Sequence, residues 1–531
     1  MLNSKAFDSD IVIRIKRRRK ELWVDHIGGE RLHGPTRGGK DIHTNFRITG
    51  RLYPRATAGT YGSATLPDYV LLEIFSFYVD GAHDEDEWHT LVHVCQTWRK
   101  VVFTSPRRLR LRLLCTQGRA AKKMLGVWPA LPIIVKEYYA ENLQLQGGVN
   151  NVVDALTYND RIREINIQGV PSLLLEGIAT MQAPFAALTS LALQSKDESP
   201  PALPDSFLGG CVPQLQELSF DGIPFLAVRK LLSSTKGLVS LRLWDIPPSG
   251  YISPEEMATS LSTLTKLKRL VLGFRSPRPQ TDTEIESRHS PLLTRIVLPV
   301  LAVFNFKGNS EYLDDFVSRI DAPLLDNTAI TLFNQLIFGT SQLRCFLGRT
   351  ERFNGARRAD VVFFCYRVQV SLFRQNGPDY HKIFELGISC ATSDWQLSSL
   401  AQICSWSLPP VPALERLGIH EGRSSQPQWQ DDVEDGEWAG LFRPFSTVTT
   451  LDISERFVGR VAPALQVLAR RVSATDVLPA LENIFLEGQQ PPEPIYDAIR
   501  QFVAVRQRSG QLVTIHHRDR GRYWHIRDEV Y

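Results

Sequence analysis

Two regimes of hydrophobic spacing divide the chain. Between Thr65 and Leu109 apolar residues recur at helical intervals. Val70, Leu71, Ile74, Phe75 and Tyr78 line one face of a helix about three turns long. Leu66-Pro67-Asp68 opens it, because a proline ring is tolerated only at a helix start. After the acidic run Asp80 to Glu87, apolar residues resume at Trp88, Leu91, Val92, Val94 and Cys95. They return at Trp98, Val101 and Val102, until Ser105-Pro106 ends a third helix. Three short helices bury little surface, which predicts that they lean on a neighbour or a partner.

From about residue 160 the period changes to L-x-x-L-x-L. The units are Ile162/Ile165/Ile167, Leu188/Leu191/Leu193, Leu215/Leu218/Phe220, Leu238/Leu241/Leu243 and Leu267/Leu270/Leu272. They continue as Leu301/Phe304/Phe306, Ile383/Leu386/Ile388, Leu414/Leu417/Ile419, Val448/Leu451/Ile453 and Leu481/Ile484/Leu486. The first five starts lie 26, 27, 23 and 29 residues apart, the range of leucine-rich repeats. The last two apolar positions point inward from a short strand, and the first closes the preceding turn. Each unit can bury that face only against the next, so strands stack into a curved parallel sheet.

Helix signals fill the intervals. Ser253-Pro254-Glu255-Glu256 is a capping box with Pro at the first helical position. Leu313, Phe316, Val317 and Ile320 form a core stripe, as do Ile495, Ile499, Phe502 and Val503. The Asn usual at the ninth repeat position is mostly absent, and three units put an apolar residue and Pro there, Val170-Pro171, Ile223-Pro224 and Ile246-Pro247. Spacing loosens after residue 306, and the pattern is unclear between about 310 and 380. The last four starts lie 31 to 34 apart. Val361 to Arg374 reads as extra strand, such as a hairpin inserted into the array, and Leu109 to Thr116 alternates like a strand ahead of the apolar stretch Val127 to Val135.

The order Leu-Pro, Ile-Phe, then Val-Cys-x-x-Trp-Arg (Val94, Cys95, Trp98, Arg99) resembles the F-box, a family that docks onto the adaptor Skp1 in cullin-based ubiquitin ligases. One departure is Tyr69, where members often carry Glu. With the degenerate repeats and phrases such as WPALP, RIDAPLL and SDWQLSSL, residues 65 to about 507 look like a large expanded fungal family of F-box proteins. The resemblance implies an α/β protein: a three-helix F-box (65–109), then an irregular leucine-rich-repeat solenoid with a curved parallel sheet (110–507). A basic segment (1–64) precedes them and a C-terminal tail (508–531) follows. It implies that Leu66, Pro67, Leu71, Ile74, Leu91, Val94, Cys95, Trp98 and Arg99 form or support the Skp1-docking helices, and that the repeats bind a target protein. The expected role is the substrate receptor of an SCF-type E3 ligase, non-catalytic and without cofactor or metal. The alternative is a non-degradative scaffold bound to Skp1.

Charge and composition narrow this further. Net charge is +4, yet residues 1–64 hold 13 Lys and Arg against 6 Asp and Glu, so the rest totals −3. That argues against a general nucleic-acid-binding face on the main body. Arg14 to Lys20 is a basic cluster of the kind nuclear import receptors read, giving a cytoplasmic or nuclear expectation. No secretory pattern opens the chain and no run is long enough to span a membrane. Seven cysteines form no C-x-x-C, so buried free thiols are expected rather than disulfides or zinc.

Other candidate chemistry does not hold. Gly34 to Lys40 has phosphate-loop spacing, but Asp41 replaces the hydroxyl that would hold magnesium and would repel phosphate. Gly387-Ile-Ser389-Cys390 lacks the second Gly of a nucleophile elbow. His516-His517 has no ligand partner at metal spacing, and Asp431 to Glu437 fails the calcium-loop pattern.

Overall fold

The computed structural model describes residues 66–80, 88–116, 121–138, 146–224, 228–277, 295–377, 379–390, 393–408, 411–422, 435–470, 477–488 and 491–518. The Arg14–Lys20 cluster, the Gly34–Lys40 loop and the acidic residues 84–87 and 431–434 lie outside the described residues. The chain divides into two compact units between Arg112 and Leu113.

The first unit holds three helices, α1 (Asp68–Asp80), α2 (Trp88–Val92) and α3 (Gln96–Thr104). The Pro67 carbonyl accepts the first helical bonds, from the N–H groups of Val70 (2.9 Å) and Leu71 (3.1 Å). Leu71, Phe75, Trp88, Leu91, Val92, Val101 and Val102 are buried between the helices. Phe75 meets Trp98 with ring centroids 4.7 Å apart. Burial of each such side chain stabilises the unit by roughly 1.5–3 kcal/mol. The alternation from Leu109 arises from a turn rather than a strand: Arg110 takes φ 47°, and the Leu111 N–H donates to Pro106 O at 2.9 Å. The first strand therefore begins only at Leu113.

The second unit is built on a sixteen-stranded, mostly parallel sheet. Its strands begin with β1 (Leu113–Cys115), β2 (Ile133–Tyr138), β3 (Ile162–Gln168), β4 (Ser190–Gln194), β5 (Glu217–Asp221), β6 (Ser240–Ile246) and β7 (Arg269–Phe274). A short pair, β8 (Ile296–Val297) and β10 (Ile320–Asp321), stands apart from the sheet. The sheet continues with β9 (Val303–Gly308), β11 (Asn327–Phe333), β12 (Ala356–Phe363), β13 (Arg367–Asn376) and β14 (Asp379–Ser389). It closes with β15 (Arg416–Glu421), β16 (Thr450–Ile453), β17 (Asn483–Glu487) and β18 (Thr514–Arg518).

Register follows the repeat. Ile165, Leu191, Leu218, Leu241, Leu270 and Phe304 pair in succession across six strands, all buried. Phe304 and Phe306 meet the helix Ser310–Arg319 through Phe316 (6.0 Å) and Tyr312 (5.8 Å), so this face is the core. The capping box forms at Ser253, whose hydroxyl accepts the Glu256 N–H at 3.2 Å, and starts the helix Pro254–Leu261. Val170, Ile223 and Ile246, which stand where the repeat usually has Asn, are buried.

Between residues 310 and 380 the structure supplies a unit the spacing does not reveal. Leu325, Thr328 and Ile330 take the three positions, and Thr328 pairs with Phe304. Threonine is β-branched and suits a strand, though its buried hydroxyl makes no hydrogen bond among the described residues. The inserted hairpin is a three-strand meander: β12, β13 and β14 run antiparallel, and the sheet order becomes β11-β14-β13-β12-β15. The outer two, β14 and β12, pair parallel with β11 and β15. Within β14, Phe384 and Leu386 hold the register opposite Thr328 and Ile330, two residues ahead of the Ile383/Leu386/Ile388 reading. Beyond Ser509, Thr514–Arg518 adds the last strand. No helix among the described residues is long and apolar enough to cross a membrane.

Candidate functional site

The nine helical positions singled out in the first unit separate by exposure. Leu71 and Leu91 are buried core and hold the helices together. Leu66, Ile74 and Trp98 are half-buried, while Pro67, Val94, Cys95 and Arg99 reach the surface. Val94 is 59% exposed, and on α1 Tyr69 (66%) and Phe77 (50%) join it, two positions the periodicity alone does not select. Cys95 caps α3, its Sγ accepting the Trp98 N–H at 3.4 Å. Arg99 Nε donates to Val92 O at 2.9 Å, which ties α3 to the end of α2. Val94, Tyr69 and Phe77 are thus three large apolar side chains exposed on a unit of three short helices.

In the second unit, the residues between the consensus apolar positions share the sheet face opposite the core, since side chains alternate along a strand. Asp360, Gly418, Asp452, Phe485 and His516 pair in sequence across five strands on this face. Around them lies a charged cluster. Arg358 Nε donates to Asp360 Oδ1 at 2.9 Å, and its Nη2 lies 2.8 Å from Oδ2 as an ion pair. His420 Nε2 lies 3.6 Å from the same Oδ1. Arg416 Nε reaches Asp452 Oδ2 at 2.9 Å, and Arg518 Nη1 reaches Oδ1 at 3.6 Å. The Arg518 guanidinium also covers the Phe485 ring at 4.3 Å, and that ring stacks on His516 at 4.7 Å.

The two carboxylates differ electrostatically although both are buried. For Asp360, burial pushes the carboxyl up, but the nearby His420 imidazole and the Arg358 charge outweigh it and hold it below its ordinary value. For Asp452, burial is the largest effect and leaves the carboxyl raised despite Arg416 and Arg518. The cluster sets three guanidinium groups against two buried acids on one face, with Asp360 Oδ2 making no hydrogen bond among the described residues.

A second group occupies β6 to β11 on the same face. The Trp244 ring lies over Gly273, where a Cβ would come within 2.5 Å of Cε3. Above the ring stand the Arg242 guanidinium (5.3 Å) and the Lys307 ammonium (5.7 Å), and Lys307 also lies 5.9 Å from the Phe333 ring. Arg242 belongs to the variable repeat positions. Neither cluster carries a spacing signal, because the partners come together only through register.

Ser389 and Cys390 sit at the end of β14. His517 faces Tyr496 at 5.6 Å. No family model matches the chain, and no curated protein matches it.

Proposed function

We propose that the protein is the substrate receptor of an SCF-type E3 ubiquitin ligase. In this reading α1 to α3 are an F-box that docks the adaptor Skp1, and through it a cullin. The repeat sheet is a solenoid that holds a target protein. The observation that carries the reading is the division of apolar residues in α1 to α3: one set packs the helices together, and another, around Pro67, Tyr69, Phe77 and Val94, faces outward beside a proline-opened helix. A unit of this size gains stability from a partner covering that set. The mechanism is proximity. Holding a target lysine near a charged conjugating enzyme raises its effective concentration, and the receptor itself does no chemistry.

The test is co-purification of the tagged full chain with Skp1. Wild type retains the adaptor, and the double variant Leu66→Ala, Pro67→Ala loses it while the sheet unit melts unchanged. Absence of the adaptor from wild type, or its retention by the double variant, overturns the assignment. A target whose half-life ignores loss of the protein would favour the scaffold role.

A further inference from the structure

The face of the sheet opposite the core is not uniform in charge. On β3 and β5 it carries Glu164, Glu217 and Asp221, and on β14 Glu385. Of the four strands between, β7, β9 and β11 place no acid on this face, and the Asp245 of β6, at φ 52°, is paired with Arg275 at 2.9 Å; these strands carry Arg242, Arg269 and Lys307. Lys307 and Arg269 have no carboxylate within ion-pair distance among the described residues, and Arg242 has only Asp221, at 3.7 Å. These cations therefore stand beside two large rings, Trp244 and Phe333, with little internal neutralisation. Gly273 makes this possible, because a side chain there would displace the Trp244 ring.

We propose that this patch binds an extended acidic peptide segment of a protein target. Carboxylates of Asp or Glu pair with Arg242, Arg269 and Lys307, and the half-buried Trp244 ring, beside the buried Phe333, covers the apolar atoms between them. Arg and Trp are the residue types that carry most energy at protein interfaces, and a charge-assisted bond to an otherwise unpaired cation gains the most. Adjacent strands are about 4.8 Å apart, so four strands offer roughly 15 Å, the reach of four or five extended residues. Nucleic acid fits this patch less well. A phosphate backbone needs a longer cationic track, and Glu164, Glu217 and Asp221 would repel it on one side. The Trp244 ring is also already covered by two cations rather than open for a base.

The inference rests on the reading of this face as the target-binding side, and its test is independent of the adaptor. Purified full chain is titrated into a fluorescent peptide of alternating Glu and Leu, its Gln/Leu counterpart, and a single-stranded oligouridylate. The Glu peptide binds at least tenfold more tightly than the Gln peptide and weakens as salt rises. Lys307→Gln and Arg269→Gln each lower binding about fivefold to tenfold, and Lys307→Arg restores it. The Arg269→Gln variant keeps the wild-type melting temperature, since Arg269 has no ion-pair partner among the described residues, and Lys307→Gln loses only its contacts with the Trp244 and Phe333 rings. Equal binding of the two peptides, unchanged binding by the Gln variants, or displacement of the Glu peptide by oligouridylate overturns the proposal. Adaptor retention is scored on the same variants. Lost peptide with retained adaptor isolates the patch, and a wild type that binds peptide but not adaptor refutes only the ligase assignment.

Discussion

The His420 imidazole folds back over Gly418, two residues earlier on β15, and fills the space a Cβ would need; the same Cβ would lie 2.6 Å from Asp360 Oδ1. Gly418→Ala must therefore push the ring and the carboxylate apart. The expected cost is about 1–3 kcal/mol, the usual range for overpacking a closed site. Denaturant unfolding of the single variant measures it. Adding His420→Ala should recover part of the loss, and a double variant that is additive would show that the ring is not the obstacle.

Asp360→Asn should cost more stability at pH 7 than Asp452→Asn, although the two residues face the same cluster. The Asp360 carboxyl is held below its ordinary value, so its contribution is fully present above about pH 4 and is lost as pH falls through the lower folded-state value. Breaking this buried pair costs on the order of 3–5 kcal/mol. Asp452 has the opposite sign: its folded-state value is raised, so its neutral form stabilises the fold at low pH and that contribution is lost as pH rises through the raised value. Thermal melts of the two variants at pH 7 compare them directly. Equal losses would contradict the opposed shifts.

Phe75→Ala should loosen α1 to α3 by about 3–5 kcal/mol, because Phe75 is fully buried and is the ring Trp98 packs against. Amide hydrogen exchange resolves where the effect falls. Faster exchange is expected in residues 68–104, with β3 to β7 unchanged.

Ser253→Ala should cost about 1 kcal/mol through loss of the capping box that starts the helix Pro254–Leu261. Ser253→Asp should retain most of it. Exchange of the Glu256 amide, which donates to the Ser253 hydroxyl, reads the cap directly.

The repeat was legible because each unit writes its inward face into the sequence at fixed spacing, and Ile165 to Phe304 keep one register as a result. The pattern failed where a different residue does the same work. Thr328 is fully buried in the place of a leucine, and β14 pairs with β11 two residues out of the expected frame. The charged cluster was not legible at all. Asp360 and Gly418 meet only through pairing across an inserted meander, and Asp452 joins them from a third strand. In α1 to α3 the periodicity located the helices, but it did not separate buried Leu71 and Leu91 from exposed Val94. That distinction depends on how the three helices pack.

The meander β12–β14 also governs how the sheet ends. A strand edge is a row of unpaired N–H and C=O groups, and a second chain can add to it. β14 closes the free side of β11, β12 closes that of β15, and β13 joins the two. Without these strands one sheet would become two, with new edges in its interior at β11 and β15. The segment that breaks the repeat pattern thus insulates the sheet against self-association, by sealing the place where two runs of repeats would otherwise part.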